Sequence, residues 1–511
     1  MCRCVRVPGW AGLAQYTDHV IEPDGRPADD TDRADPPPRD ACGVFGVWSP
    51  GEDVAKLTYF GLYALQHRGQ ESAGIAVSDG SRIMVFKDMG LVAQVFSESV
   101  LSTLTGHIAV GHCRYSTTGA STWENAQPTF RSTASGSRAR GPNGTQINTL
   151  ELAAMVEGAA GAWRGPVSTS DTDVLTALFA DSAAASVADG ALAALPLVRG
   201  AFSLVFMDEK MLYAARDPQG FRPLVLGRLA RGWAVASETA ALDIVGATFV
   251  REVEPGELIA IGEQGLSSSR FAPAQPRGCL FEYVYLARPD TTNSGRSVQA
   301  TRVEVGRRLA IEHPADADLV IPVPESGTPA AIGYAQASGI PYGQGLVKNS
   351  YVGRTFIQPS QTIRERGIRL KLNPLRSVIA GQRVVVVDDS IVRGNTQRAI
   401  VAMLREAGAA QVHVRISSPP VSWPCFYGID FATRAELIAG SLSVAEIQAS
   451  IGADSLGFIS LAGLIGATTR PAASLCRACF DGDYPIPVSE REQGKHLLEE
   501  SASGEMVTGL L

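Results

Sequence analysis

From Arg383 the chain reads Arg-Val-Val-Val-Val-Asp-Asp-Ser-Ile-Val-Arg-Gly-Asn-Thr, ending at Thr396, and this stretch restricts the fold more than any other. Four consecutive valines suit a parallel strand covered on both faces. Asp388 and Asp389 then fall at its carboxyl end, the place where open α/β sheets bind ligands. Two adjacent carboxylates there can accept bonds from vicinal ribose hydroxyls or hold a divalent cation through oxygen. The hydroxyl, glycine and amide groups of Ser390 to Thr396 lead into Gln397 to Gly408, which has helical apolar spacing and a glycine stop. A phosphate would sit on that helix N-terminus. A solvated acid pair closing a core strand would explain the two aspartates alone; the order of the whole stretch favours a phosphosugar pocket.

At 511 residues the chain exceeds one ordinary core, so two or more domains are expected. It is 45% hydrophobic and 19% charged with a net charge of −7, a balance that argues against a nucleic-acid scaffold. No apolar run approaches the ~20 residues that span a bilayer, and no apolar signal core follows the first basic residues. A cytoplasmic enzyme is expected. Eight cysteines are too sparse for a disulfide framework, so they should be core, catalytic or metal-binding groups. No Gly-x-x-x-x-Gly-Lys-Ser/Thr sequence occurs, which disfavours a P-loop nucleotidase.

The Arg383–Thr396 stretch resembles the signature of type I phosphoribosyltransferases, which bind phosphoribosyl pyrophosphate (PRPP). That resemblance implies PRPP contacts at Asp388, Asp389, Ser390, Arg393, Gly394, Asn395 and Thr396. Asp318-Leu-Val-Ile-Pro-Val-Pro-Glu-Ser-Gly-Thr328 ends an apolar strand in a small-residue loop, where the family holds pyrophosphate, and Ser326 aligns with a family magnesium contact beside Asp388 and Asp389. A helix from Pro329 to Ser338 and a strand from Gly343 to Val347 should complete a βαβ unit. The basic segment from Lys348 through Arg354 to Arg376 resembles the loop that closes over PRPP and helps form an ammonia channel.

Toward the N-terminus, residues 1–41 are polar and crowded with Asp, Arg and Pro, and are expected to be disordered or removed. Cys2 and Cys4 within them have no spaced partner. Order begins at Ala41-Cys-Gly-Val-Phe-Gly-Val-Trp48. Polar clusters follow at Leu65-Gln-His-Arg-Gly-Gln-Glu-Ser-Ala-Gly74, Gly111-His-Cys-Arg-Tyr-Ser-Thr-Thr-Gly119 and Ser168-Thr-Ser-Asp-Thr-Asp173. Together with Cys42 they resemble the class II glutamine amidotransferase domain, an N-terminal-nucleophile hydrolase with an αββα sandwich. The resemblance implies cleavage before Cys42, whose freed α-amino group, with a pKa near ~7.7–8.0, would take the thiol proton. It also implies glutamine binding by Arg68, Arg114 and Asp171. The domain should run from 42 to 270, carry helices over Thr149 to Ala160 and 173–185, and end in a proline-bearing linker at 271–277.

The oxyanion segment departs from the family. Asn143 and Gly144 match its donors, but Pro142 and Thr145 stand where the family has His and Asn. A proline restricts its own φ and the residue before it, so a competing expectation is an ammonia-dependent enzyme with an impaired glutaminase. A PRPP-sensing nucleic-acid regulator is a further rival, disfavoured by the acidic charge.

Cys279, Cys425, Cys476 and Cys479 remain. A lone Cys-x-x-Cys fits zinc, redox or iron–sulfur chemistry. With its two distant partners the set resembles that of the iron–sulfur type of bacterial amidophosphoribosyltransferases, implying a [4Fe–4S] cluster, with structural zinc as the alternative; Cys113 should be core. The family resemblance implies a phosphoribosyltransferase domain over 278–470 and a cluster-bearing tail over 471–511. It further implies magnesium, inhibition by purine nucleotides and a homotetramer. The reaction implied is the first committed step of purine synthesis, from glutamine, PRPP and water to 5-phosphoribosylamine, glutamate and pyrophosphate.

Overall fold

The computed structural model describes residues 42–115, 121–133, 136–160, 174, 175, 178, 186–349, 371–429 and 434–488. Strand Gly43–Trp48 lies central in a seven-stranded antiparallel sheet, between Ile108–Arg114 and Gly232–Ala236. Its alternation sorts side chains to two cores. Phe45 and Val47 pack with Leu62 and Ala55 of helix Val54–Ala64. Val44 points the other way, into a cluster with Val110, Val205 and Ile259 that joins this sheet to a second one of six strands. Gly46 permits the close approach: a Cβ there would stand 2.5 Å from Val205 Cγ1.

The second sheet buries its far face under helices Thr149–Ala160 and Val187–Ala194, with Leu152 and Ala191 set against Phe206, Tyr213 and Leu258. Helix, sheet, sheet and helix thus stack in the expected αββα order. Of the helix expected over 173–185, only Val174, Leu175 and Leu178 are described, and they are helical.

In the C-terminal half, strands Leu319–Pro322, Arg383–Asp388, Gln411–Ile416 and Ser455–Phe458 form one parallel sheet in that order. The four valines are fully buried on both faces: Val385 and Val387 join one core cluster, Val384 and Val386 the other. Helix Asn395–Glu406 follows, its apolar residues Ile400, Val401 and Leu404 turned to the sheet.

The βαβ expectation is corrected at its second strand. Helix Thr328–Ser338 is present, but the returning chain pairs with the sheet through a single parallel bridge between Tyr342 and Val320 among the described residues. Leu346–Lys348 pairs instead with Leu372–Pro374 in a separate two-stranded ribbon at the base of the basic loop. The strand expected at Gly343 to Val347 is too rich in glycine to hold a ladder along its whole length. Among the described residues no helix is long and apolar enough to cross a membrane.

Candidate active site

The acid pair stands at the carboxyl end of the second strand of the parallel sheet. Asp388 is the last strand residue, and both carboxylates are buried. Asp388 accepts from the Asp389 amide at 2.9 Å and from Gln397 Nε2. Ser390 donates to Asp389. Burial pushes Asp388 well above the ordinary carboxylate range, and the adjacent Asp389 charge adds to this. Burial raises Asp389 too, against bonds from Ser326 and Ser390 and the charge of Arg302. A pair that holds its protons this way is short of positive charge, which a divalent cation would supply.

The turn after the acids closes on Gly394, whose φ of +90° suits glycine and caps helix Asn395–Glu406. Asn395 and Thr396 therefore open the helix, at the acid pair's end of the sheet. Asn395 Oδ1 accepts from Arg398 at 3.0 Å. The Arg393 guanidinium pairs with Glu436 at 2.9 Å. Lys348 Nζ stands 3.8 Å from Glu325, in the loop that follows the first strand of the parallel sheet. Arg354 lies outside the described residues.

In the glutamine half, Cys42 sits just before strand Gly43–Trp48, buried, its thiol donating to the Tyr115 carbonyl at 3.2 Å and accepting from the Tyr115 amide at 3.4 Å. Arg114 ends the adjacent strand, with Nη1 3.8 Å from Glu71. Asn143 is fully buried at the end of strand Gly136–Asn143 and donates to Ser237 Oγ at 3.4 Å; that hydroxyl also accepts from the Val44 amide at 3.0 Å. The carboxamide is thereby fixed two residues from the nucleophile. Gly144 has φ +136°, and a Cβ on it would meet the Ala201 carbonyl at 2.2 Å. Asp171 lies outside the described residues.

Pro142 does not displace this segment. Gly141, Pro142 and Asn143 pair with Val205, Leu204 and Ser203 in unbroken register. The strand on the other side, Thr129–Thr133, ends opposite Arg140, so from Gly141 onward the strand has one neighbour only, where a missing N–H is tolerated.

Arg68, expected in the glutamine site as a residue that holds the nucleophile's surroundings, is fully buried, and its guanidinium is taken by Glu238 and by Glu282, the latter at 3.2 and 2.6 Å. Burial opposes its charge, but the two carboxylates more than offset this and hold it above its ordinary value. Glu238 is pulled well below the usual range despite burial, by Arg68 and His67. Cys113 is core as expected, its thiol pushed up to about 12 by burial. Glu238, Glu282, Ser237 and Gln397 were missed, although Glu282 is a single acid inside the apolar run Leu280-Phe-Glu-Tyr-Val-Tyr-Leu-Ala287, a pattern that signals a buried, paired charge.

The four remaining cysteines converge. Cys279 pairs with Cys476 in a short parallel ladder, the amides of Ser422 and Trp423 bond the Cys479 carbonyl at 3.1 Å, and all four thiols line one small enclosed cavity with Arg222, Phe221 and Tyr427. Burial raises Cys279 to about 11, and raises Cys476 and Cys479 well above the ordinary thiol. Among the described residues no three His, Cys, Asp or Glu side chains are gathered as the shell of a single metal ion.

A nucleophile hydrolase sandwich carrying Cys42, joined to a parallel sheet carrying an acid pair and a phosphate-ready helix, defines a glutamine amidotransferase fused to a phosphoribosyltransferase. Residues 112–243 match the glutamine amidotransferase domain family and 299–417 the phosphoribosyl transferase domain family. Amidophosphoribosyltransferase of Mycobacterium tuberculosis is 66% identical over 472 residues, 90% of each chain, and that of Bacillus subtilis 47% identical over 464 residues, 90% of this chain and 97% of its own. Among solved structures, the B. subtilis glutamine PRPP amidotransferase complexed with ADP and GMP superposes with a TM-score of 0.82 at 47% identity, over 88% of this chain and 98% of that one. The chain belongs to the amidophosphoribosyltransferase family.

Proposed function

We propose that the two sites act in series, with ammonia freed at Cys42 consumed at the acid-pair end of the parallel sheet. The chain is an amidophosphoribosyltransferase, the enzyme of the first step of purine biosynthesis. Its glutamine and PRPP substrates follow from the family. With the segment before it removed, the Cys42 α-amino group would accept the thiol proton, and the sulfur would attack the side-chain amide carbon of glutamine. Asn143 Nδ2 and the Gly144 amide would receive the developing oxyanion. Arg114, with Asp171, would hold the amino-acid end. Collapse of the adduct, with the proton returned to nitrogen, releases ammonia and leaves a thioester that water converts to glutamate.

In the second half the Asn395 and Thr396 amides would seat the 5-phosphate, Asp388 and Asp389 would order the ribose hydroxyls, and Lys348 with the loop at Ser326 would take the pyrophosphate. Ammonia then forms the bond to C1 as pyrophosphate departs with the electron pair. Magnesium, held near Ser326, Asp388 and Asp389, would neutralise the leaving group. The four cysteines line one cavity and would suit an iron–sulfur cluster, and bound metal would let the raised thiols ionise. Such a group would tie the linker at Cys279 to the tail at Cys476. Cytoplasmic placement, a homotetramer and control by purine nucleotides are further parts of this reading; the B. subtilis relative was solved with ADP and GMP.

The observation that carries a working glutaminase is the unbroken register through Pro142 to Asn143. Product analysis with glutamine or ammonium as donor tests it. Wild type should form phosphoribosylamine from both, and Cys42→Ala from ammonium alone. A wild type that uses ammonium only would establish the impaired reading instead.

A further inference from the structure

Between the four-cysteine cavity and the glutamine site runs a line of alternating charges closed to water. Arg222, Glu282, Arg68 and Glu238 are each no more than 1% exposed. Arg222 Nη1 lies 3.3 Å from Glu282 Oε1, and Glu282 passes to Arg68 at 3.2 and 2.6 Å. Arg68 Nε then donates to Glu238. The far end is closed by donors that leave Glu238 fully engaged: His67 Nε2 at 2.7 Å, the Thr291 hydroxyl at 2.6 Å and the Arg288 amide at 3.0 Å.

The near end is not closed in the same way. Arg222 lines the cavity with Cys279, Cys425, Cys476 and Cys479. Its Nε donates to the Tyr427 carbonyl at 3.2 Å, but Nη2 is buried without a hydrogen-bond partner among the described residues. A guanidinium proton left unmet inside a protein costs about 1–3 kcal/mol, so an acceptor or an anion is called for at that spot. Four thiolates carry more negative charge than a zinc ion or an iron–sulfur cube returns, and the surplus would lie beside this donor. A second link runs alongside. Gly428, with φ +104°, lets the Cys425 loop pass so closely that a Cβ on it would stand 3.0 Å from Arg222 Nη2 and 3.2 Å from the Cα of Gly144.

We propose that Arg222 is the positioning residue and counter-charge for the thiolate-bound group, and that the chain Arg222–Glu282–Arg68–Glu238 couples its retention to the seating of the glutamine half. This rests on the four-thiol reading above. Bound, the group satisfies Nη2 and leaves Nη1 on Glu282. Once the group is lost, Arg222 is free to shift and Glu282 loses one of its two cations.

The test uses the full chain, prepared without oxygen, as wild type, Arg222→Met, Arg222→Lys and Glu282→Gln. Iron, zinc and acid-labile sulfide per chain are measured, followed by the rate of metal loss to a chelator. Arg222→Met should hold metal about 10- to 100-fold less tightly, the range for losing a group that supports metal ligands, and Arg222→Lys should hold it nearly as wild type does. Glu282→Gln leaves Arg222 in place but breaks the chain beyond it, so it should lose metal faster than wild type and more slowly than Arg222→Met, while amide hydrogen exchange rises around 65–69. Metal held equally by Arg222→Met and wild type would overturn the role of Arg222 alone. Equal loss in Arg222→Met and Glu282→Gln would also overturn it, because packing between the halves would then explain both. Should Arg222→Met fail to fold, Arg222→Lys decides: retention supports the counter-charge and loss overturns it. Wild type free of metal and sulfide would overturn this proposal together with the four-thiol reading.

Discussion

Replacing Asp388 by Asn separates what this carboxylate does for catalysis from what it does to the fold. It is buried at a strand end next to a second buried acid, and both are held above the ordinary carboxylate range. An unfolded Asp titrates near ~3.9. Because the folded value lies higher, the folded chain keeps protons that the unfolded chain has released, so this group's contribution to stability falls as pH rises from about 4 through the raised value. Asn carries no charge to bury. Its Oδ1 can still accept from the Asp389 amide, and Gln397 can turn its carboxamide so that Oε1, buried without a partner among the described residues, accepts from the new amide nitrogen. Asp388→Asn should therefore be more stable than wild type by about 1–3 kcal/mol near neutral pH without magnesium or PRPP, the scale for relieving one buried unmet polar group. The gap should close toward about pH 4. Product formation from either nitrogen donor should fall by at least about 100-fold. Urea unfolding at two pH values, with the product assay on the same preparation, measures both. A variant less stable than wild type near neutral pH, or a gap that widens on acidification, would refute the reasoning; so would wild-type turnover with ammonium.

Arg68→Met should destabilise by about 3–5 kcal/mol, because it strands Glu238 and Glu282 as buried carboxylates; denaturant midpoints check this, and a neutral effect would mean that water reaches the pair. Gly144→Ala should lower glutamine use by about 10²–10³-fold while ammonium use persists, since its φ of +136° and the Ala201 carbonyl exclude a Cβ and the oxyanion donor must move. Pro142→His with Thr145→Asn should leave the ratio of glutamine to ammonium turnover unchanged, because the strand already delivers Asn143 in register; a large gain would show that the register alone does not make the site.

The elements of the candidate phosphoribosyl site were legible because they are contiguous. A covered strand, two acids, a turn and a helix follow one another from Arg383 to Glu406, and each has a local cause in valine runs, carboxylates and the left-handed glycine at 394. What failed was read from composition without its neighbours. Gly343 to Val347 looked like a sheet strand, yet only Tyr342 reaches Val320, because pairing partners are chosen in three dimensions. Pro142 raised an expectation of a displaced turn, and the sequence could not reveal that the strand beside it stops at the partner of Arg140.

Arg68 shows the limit most clearly. In the run Gln-His-Arg-Gly-Gln-Glu it looks like a polar ligand group, and its family setting implied a substrate contact. Its partners stand 170 and 214 positions away, at Glu238 and Glu282. A single charge inside an apolar run reveals that a residue is buried, as for Glu282, but not which residue neutralises it. Once the pairings are known, the four residues form a neutral set of two cations and two anions, so removing one leaves an uncompensated charge in a dry interface while the set as a whole has no such burden. The arginine next to the nucleophile's strand is then accounted for by its two carboxylate partners. Its work is to hold the glutamine half against the half that consumes the ammonia.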